Sequence, residues 1–324
     1  MSENKIKIIN YICCPNGFGH FRRFYFLNKL LEKNKINVNL YSKLSNWKEF
    51  SLYFKHDFKN INFFHVDNLP SNSLLTQQQK KIIIKDICKR MDDSLLISDN
   101  YEEVINYKNN VILIANFLWG INKKKINYLE SLSKRLKNKH IYIYGNKYLS
   151  PTYLSTLNNF KGVGFFGPEK PYVKTVRVKK NVLFVKGFGS NQDNFEKIIE
   201  YFSNNLDNKY NLFFDKNFLF ARKLKLKIVN KFNNNLFNSI DVIVGRPSFG
   251  IVTEALSRKI PFLPLSDIRD EESIDTKNKI FEIFDYNEDI NEYIKASKKI
   301  YTNFNFKFNE EDELLNKILE FIGK

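Results

Sequence analysis

A short apolar run that stops at glycines and gives way to an amphipathic helix occurs twice in this chain, and that succession constrains the fold more than any other feature. The first copy spans Lys5 to Lys33. Its opening, Lys5 to Cys14, is rich in β-branched residues and ends at Pro15-Asn16-Gly17, as a buried strand entering a loop does. From His20 to Lys33 the apolar residues Phe21, Phe24, Leu27, Leu30 and Leu31 recur three and four positions apart, the period of a one-sided helix. The second copy begins with a strand at Val182–Val185, turns at Gly187-Phe188-Gly189-Ser190, and continues as a helix over Gln192–Phe202.

Between and after the two copies the same alternation continues. Strands are expected at Val38–Tyr41, Ile61–Val66, Leu95–Ser98, Val111–Ala115 and Ile141–Tyr144, and then at Leu212–Phe214, Val242–Val244 and Phe262–Leu265. Strands separated by helical segments favour parallel sheets with helices on both faces. The pattern breaks over Gly162–Lys180, where glycines, prolines and scattered basic residues collect. A chain of 324 residues exceeds one comfortable core. The expected division is therefore an N-terminal domain over 1–165, a linker over 166–180 and a C-terminal domain over 181–324. A last helix over Glu310–Ile322, with Leu314, Leu315, Ile318, Leu319 and Ile322 on one face, is expected to close the second domain.

Composition narrows the class of protein. Hydrophobic residues make up 43% and charged residues 27%, an ordinary globular balance. No apolar run approaches the ~20 residues of a membrane-spanning helix, and the first residues lack the hydrophobic stretch of a signal peptide, so the cytoplasm is the expected compartment. Cys13, Cys14 and Cys88 are too few for a disulfide framework and have no metal-ligand spacing; they read as reduced core residues. The net charge of +17 would draw nucleotide phosphates, anionic lipid or nucleic acid alike.

The candidate chemistry sits where strands meet glycines. In open α/β sheets, ligands bind outside the carboxyl ends of the strands, and a glycine turn at a helix start lets backbone N–H groups approach phosphate or sugar oxygens. Gly17 and Gly19 occupy such a place, and His20 follows them, so its imidazole is a candidate general base for a hydroxyl or a water. Asp99 ends the Leu95–Ser98 run, where its carboxylate would orient His20 and stabilise the imidazolium. His56, His65 and His140 lack such settings. Asn116 to Gly120, an aromatic cluster after another strand, reads as core or as a platform for a sugar ring. In the second half, Gly187, Gly189 and Ser190 are candidates to hold a diphosphate through backbone amides and a hydroxyl. Their partner is the ordered run Val242 to Leu256, which contains Gly245, Arg246, Ser248, Gly250, Thr253 and Glu254; Pro261 to Leu265 and Asp270-Glu271-Glu272 follow.

With those blocks in hand, the chain resembles the GT-B glycosyltransferase superfamily, whose members share an early G-x-G-H loop and a late glycine turn before Glu-Ala-Leu. Gly17 to Arg23 is similar to the early loop of the UDP-sugar hydrolases of pseudaminic acid synthesis. Arg246 to Glu254 is similar to the donor loop of the peptidoglycan N-acetylglucosaminyltransferases. The resemblance implies two Rossmann-like α/β domains facing across a cleft, with His20 on one side and Glu254 on the other. It further implies that the C-terminal domain binds the nucleotide: Glu254 on the ribose hydroxyls, Gly250 and Thr253 near the diphosphate, and Glu271 or Glu272 near the donor sugar. Ser248 stands where relatives often carry glycine, and Phe249-Gly250 supplies the backbone freedom instead. Retaining members commonly carry a second glutamate eight positions after the first; here that position is Phe262, which favours inversion.

The leading expectation is a glycosyltransferase that moves a sugar from a nucleotide-sugar donor, a UDP-sugar favoured, to a glycan or lipid-linked acceptor in surface glycan synthesis. It needs no cofactor and no metal. A nucleotide-sugar hydrolase, with His20 activating water, is the alternative. A noncatalytic basic binding protein is the third reading, although no nucleic-acid motif supports it. The helix carrying Arg22 and Arg23 among Phe21, Phe24, Tyr25 and Phe26 reads either as a solvated basic face over core or as a peripheral contact with anionic membrane at its inner face.

Overall fold

The computed structural model describes residues 7–15, 18–54, 57–69, 77–115, 125–137, 140–170, 178–186, 192–206, 209–230, 232–265, 277–282, 289–303 and 305–323. The chain forms two compact units, one built from Met1–Gly167 together with Asn309–Lys324 and the other from Pro168–Phe308.

Among the described residues, the first unit holds a sheet of seven parallel strands. These are β1 (Lys7–Cys13), β2 (Ile36–Ser42), β3 (Ile61–His65), β4 (Leu96–Asp99), β5 (Asn110–Ile114), β6 (His140–Asn146) and β7 (Phe160–Val163), in the order β3-β2-β1-β4-β5-β6-β7. Helices α1 (Phe18–Lys33), α2 (Leu44–Phe54), α3 (Gln77–Lys89) and α4 (Lys125–Leu136) form the crossovers. β1 is buried on both faces because its side chains alternate between two cores. Ile9, Tyr11 and Cys13 pack with Phe21, Phe24 and Leu27 of α1, whereas Ile12 and Cys14 pack with Ile84, Ile87 and Cys88 of α3. All three cysteines are buried free thiols.

The last helix, Glu311–Gly323, corrects the expected domain assignment, because it covers the first unit's sheet. Its apolar stripe, Leu314, Leu315 and Ile318, joins Phe21, Phe24 and Leu27 in one core. Polar contacts fix the approach: Glu310 accepts from the Gly164 N–H at 2.6 Å, Glu311 accepts from the Gly167 N–H at 3.0 Å, and Lys161 pairs with Glu313. An amphipathic stripe says that a helix must cover something apolar. Which sheet it covers was not written in its period.

The second unit holds five parallel strands among the described residues: β8 (Lys180–Val185), β9 (Tyr210–Asp215), β10 (Ile228–Val229), β11 (Val242–Gly245) and β12 (Phe262–Pro264), ordered β10-β9-β8-β11-β12. Helices α5 (Gln192–Asn204), α6 (Leu219–Lys223), α7 (Asn234–Ser239) and α8 (Phe249–Ser257) connect them, and a further helix spans Ile290–Asn303. That helix is tied to the sheet where Tyr293 donates to the Phe262 carbonyl at 2.5 Å. Residues 168–170, expected within a linker, belong to this unit: the Lys170 N–H donates to the Ser257 carbonyl at 2.8 Å.

Candidate functional site

In the first unit the strand order reverses between β1 and β4, which pair side by side with Cys13 opposite Asp99. The chain leaves β1 to build one half of the sheet and returns at β4 to build the other, so the two connections diverge and leave a crevice at the carboxyl ends. His20 stands at the third position of α1, the helix that follows β1, and Asp99 is the last residue of β4. The imidazole Nδ1 lies 2.9 Å from Asp99 Oδ1, so two residues 79 positions apart meet where the sequence placed them. Asp99 is fully buried and the His20 side chain is 13% exposed.

A third residue completes the cluster. Arg23, one turn after His20 on the same helix face, grips Asp99 with two bonds, Nε to Oδ2 at 3.2 Å and Nη2 to Oδ1 at 2.8 Å. Tyr11 donates to Oδ2 at 3.5 Å. Nη2 also lies 2.8 Å from His20 Nδ1, and both nitrogens share Oδ1 as acceptor. The proton therefore belongs on Nδ1, directed at Asp99, which makes Nε2 the nitrogen with the lone pair.

Burial alone would raise the Asp99 pKa, but the Arg23 guanidinium and then His20 outweigh it and hold the carboxyl below its ordinary range. Burial would lower the His20 pKa, yet the Cys14 sulfur and the Asp99 carboxylate more than offset that and raise it to about 9.

The reading of Arg22 and Arg23 as a solvated or membrane-facing basic surface is overturned, because each is only 8% exposed. Arg22 donates to the Phe166 carbonyl at 2.8 Å and lies over the Phe26 ring at 5.0 Å, while Arg23 is spent on Asp99. The i, i+3 spacing from His20 to Arg23 was the available signal that both serve one face. Gly19 lies within the first turn of α1 and not in the preceding loop; its N–H is one of the four that a helix start leaves without an intrahelical partner.

The second unit repeats the reversal between β8 and β11. Gly245 ends β11, and a Cβ built there would stand 2.1 Å from the Val185 carbonyl oxygen of β8, so only glycine permits this approach. Gly245→Ala is expected to destabilise the protein by about 1–3 kcal/mol or more, measured as a drop in urea midpoint at unchanged m value. Arg246 continues the turn, donating its N–H to Val185 at 3.3 Å, and Ser248 is the N-cap of α8 without a side-chain capping bond. Gly250 lies in the first turn of α8, where backbone N–H groups suit an anion. Thr253 is 4% exposed and its hydroxyl donates to the Phe249 carbonyl at 2.7 Å, so its side chain serves the helix itself.

Glu254 is held by cations that the sequence reading did not foresee. Its Oε1 accepts from Lys170 Nζ at 2.5 Å and from Arg258 Nε at 2.7 Å. Arg258 at i+4 was legible as a helix pair; Lys170 comes from 84 positions away and was not. Gly17, Gly187, Gly189, Ser190, Glu271, Glu272, His56 and the Asn116–Gly120 cluster lie outside the described residues. His65 pairs with exposed Asp67 at 2.7 Å, and His140 packs edge-on to Phe321 at 6.4 Å.

No protein-family model and no curated protein sequence matches this chain. Solved structures match it in fold. The glycotransferase of kitacinnamycin is 12% identical, with a TM-score of 0.59 over 97% of this chain and 100% of that one. MurG of Acinetobacter baumannii is 10% identical, with a TM-score of 0.59 over 97% and 99%. UGT89C1 of Arabidopsis thaliana complexed with UDP is 13% identical, with a TM-score of 0.57 over 96% and 99%; the same plant protein is also known with UDP-L-rhamnose and with quercetin. The chain has the α/β fold of these GT-B glycosyltransferases, in agreement with the resemblance drawn from its glycine blocks.

Proposed function

We propose that this chain is a glycosyltransferase that moves a sugar from a nucleotide-sugar donor to an acceptor hydroxyl. The observation that carries the reading is the buried His20–Asp99 pair at the reversal point of the first sheet, in a chain with a glycosyltransferase fold. His20 takes the proton of the acceptor hydroxyl through Nε2, and Asp99, bonded to Nδ1, keeps the ring oriented and stabilises the imidazolium that forms. The hydroxyl oxygen attacks the anomeric carbon as the bond to the diphosphate breaks, and attack from the opposite side inverts that centre. The donor's diphosphate charge is met by backbone N–H groups at the start of α8 and by the Arg246 turn. A UDP-sugar is the favoured donor, as UDP and UDP-L-rhamnose are ligands of a structural neighbour. The acceptor is a glycan or a lipid-linked saccharide, at the cytoplasmic side of a cell envelope. The arrangement requires no metal.

Glu254 would reach a ribose only by exchanging or sharing the ion pairs it makes with Lys170 and Arg258. The similarity of Gly17–Arg23 to nucleotide-sugar hydrolases favours one competing reading, in which water replaces the acceptor. A panel of UDP- and other nucleotide-sugars, assayed for nucleotide release with and without envelope saccharide acceptors, separates them. Release that depends on acceptor is the expected outcome; equal release without acceptor makes the protein a hydrolase, and no release with any donor removes both.

A further inference from the structure

One exposed segment of the second unit combines cations and leucines in a way that neither core packing nor the proposed chemistry uses. Between Lys216 and Lys227 the chain carries Lys216, Arg222, Lys223, Lys225 and Lys227 and no acidic residue. Residues 222–227, Arg-Lys-Leu-Lys-Leu-Lys, are all exposed. Leu219 is 49% exposed, Leu224 58% and Leu226 38%, three of the large apolar side chains that the described surface leaves in water.

The exposure is built in. Phe218, Phe220 and Ala221 of the same segment are buried, and Phe218 and Phe220 pack edge-on in a cluster with Phe214, so the apolar demand of the core is already met on the inner side. The backbone of the outer side is held in a fixed turn. The Leu224 N–H donates to the Phe220 carbonyl at 2.9 Å and that of Leu226 to the Ala221 carbonyl at 3.0 Å, with Lys225 in the left-handed region at φ 54°. Beyond the turn, the Phe214 N–H donates to the Lys227 carbonyl at 2.8 Å, which ties the end of the segment to β9. Among the described residues none of the five cations is held in a direct salt bridge, although the Lys216 charge acts on Asp215 and Lys227 lies over the Phe213 ring at 4.7 Å. The nearby carboxylates face inward: Glu196 pairs with Lys186 and accepts from the Leu219 N–H, and Asp215 is buried and accepts from the Asn217 N–H at 3.1 Å.

We infer that this surface, from Lys216 to Lys227, docks the protein onto an anionic lipid bilayer. The cations meet lipid phosphates while Leu219, Leu224 and Leu226 enter the boundary between headgroups and acyl chains. Charge complementarity selects an anionic partner, and the leucines select a bilayer over a nucleic acid, because they contribute nothing to phosphate contacts or base-edge recognition. The inference does not depend on the catalytic reading. It replaces the α1 face as the membrane contact, since Arg22 and Arg23 are buried.

The test is co-sedimentation of the full chain with vesicles of phosphatidylcholine alone or with about one-third phosphatidylglycerol, at low and high salt. Binding to the anionic vesicles only, weakened by salt, is the expected result. Lys223→Glu/Lys225→Glu should lower partitioning by at least about 25-fold, taking about fivefold for each charge lost. Leu224→Ser/Leu226→Ser should lower it about tenfold or more while keeping the salt dependence. Circular dichroism and thermal melts confirm that each variant is folded. Wild type that ignores anionic vesicles, or folded variants that bind as wild type does, overturns the proposal. So does a protein that ignores vesicles but binds a single-stranded oligonucleotide through the same lysines. Turnover of a water-soluble acceptor should be unchanged in both variants, which separates this surface from the catalytic reading.

Discussion

Replacing His20 by alanine is expected to lower kcat by about 100- to 10,000-fold, the range a positioned general base supplies, with the fold intact. Asp99→Asn should lower kcat as well, because an amide cannot hold the Nδ1 proton in place or balance the imidazolium. The pH profile carries the sharper information. With its pKa near 9, His20 is mostly protonated at neutral pH, and a base must first lose that proton. The kcat/KM of the wild type should therefore rise about tenfold per pH unit below about 9 and level off above it. A profile flat from pH 6 to 9, or turnover by His20→Ala equal to wild type, would remove His20 as the base.

The same group couples stability to pH in the opposite sense. Its folded pKa of about 9 lies above the ordinary value of 6.5, so the fold favours the protonated ring. That stabilisation is complete below about pH 6.5 and is lost as the pH rises through about 9. Activity should thus climb across the window in which this contribution to stability fades.

Arg23→Met is expected to cost about 3–5 kcal/mol of stability, because it leaves Asp99 as a buried carboxylate without its bidentate cation. Urea unfolding measures it. The double variant Arg23→Met/Asp99→Leu should recover most of the loss, since a buried ion pair exchanged for packed apolar groups is often near neutral. Arg23→Met also removes a cation 2.8 Å from His20 Nδ1, which makes the imidazolium easier to form. The rise of kcat/KM should then shift to higher pH. A purely structural role for Arg23 predicts the stability loss with the pH limb unmoved; a loss under about 1 kcal/mol would contradict the buried-pair account.

Much of the fold was legible because the signals are local. A β-branched apolar run marked β1, a period of 3.6 marked α1, the glycines after strands marked the crossovers, and the alternation of strands with helices called for parallel sheets. The strands that escaped the reading are short and on edges: β7 contains Lys161 and Gly162, and β10 has two residues. Such segments gain strand geometry from a neighbour's hydrogen bonds more than from their own side chains.

By itself, the sequence determined that the chain builds parallel α/β sheets, that His20 follows a strand into a helix start, and that Asp99 ends another strand. Tertiary structure decided that β1 and β4 are neighbours, and with that that residues 20 and 99 meet. It also decided that Arg23 faces inward onto Asp99, that Lys170 and Arg258 hold Glu254, and that the last helix returns to the first sheet. The physical reason is common to all of these. Periodicity reports which face of an element must be buried, whereas the partner that buries it, and the buried charge it must neutralise, are set by strand order and by chain that lies far away in sequence.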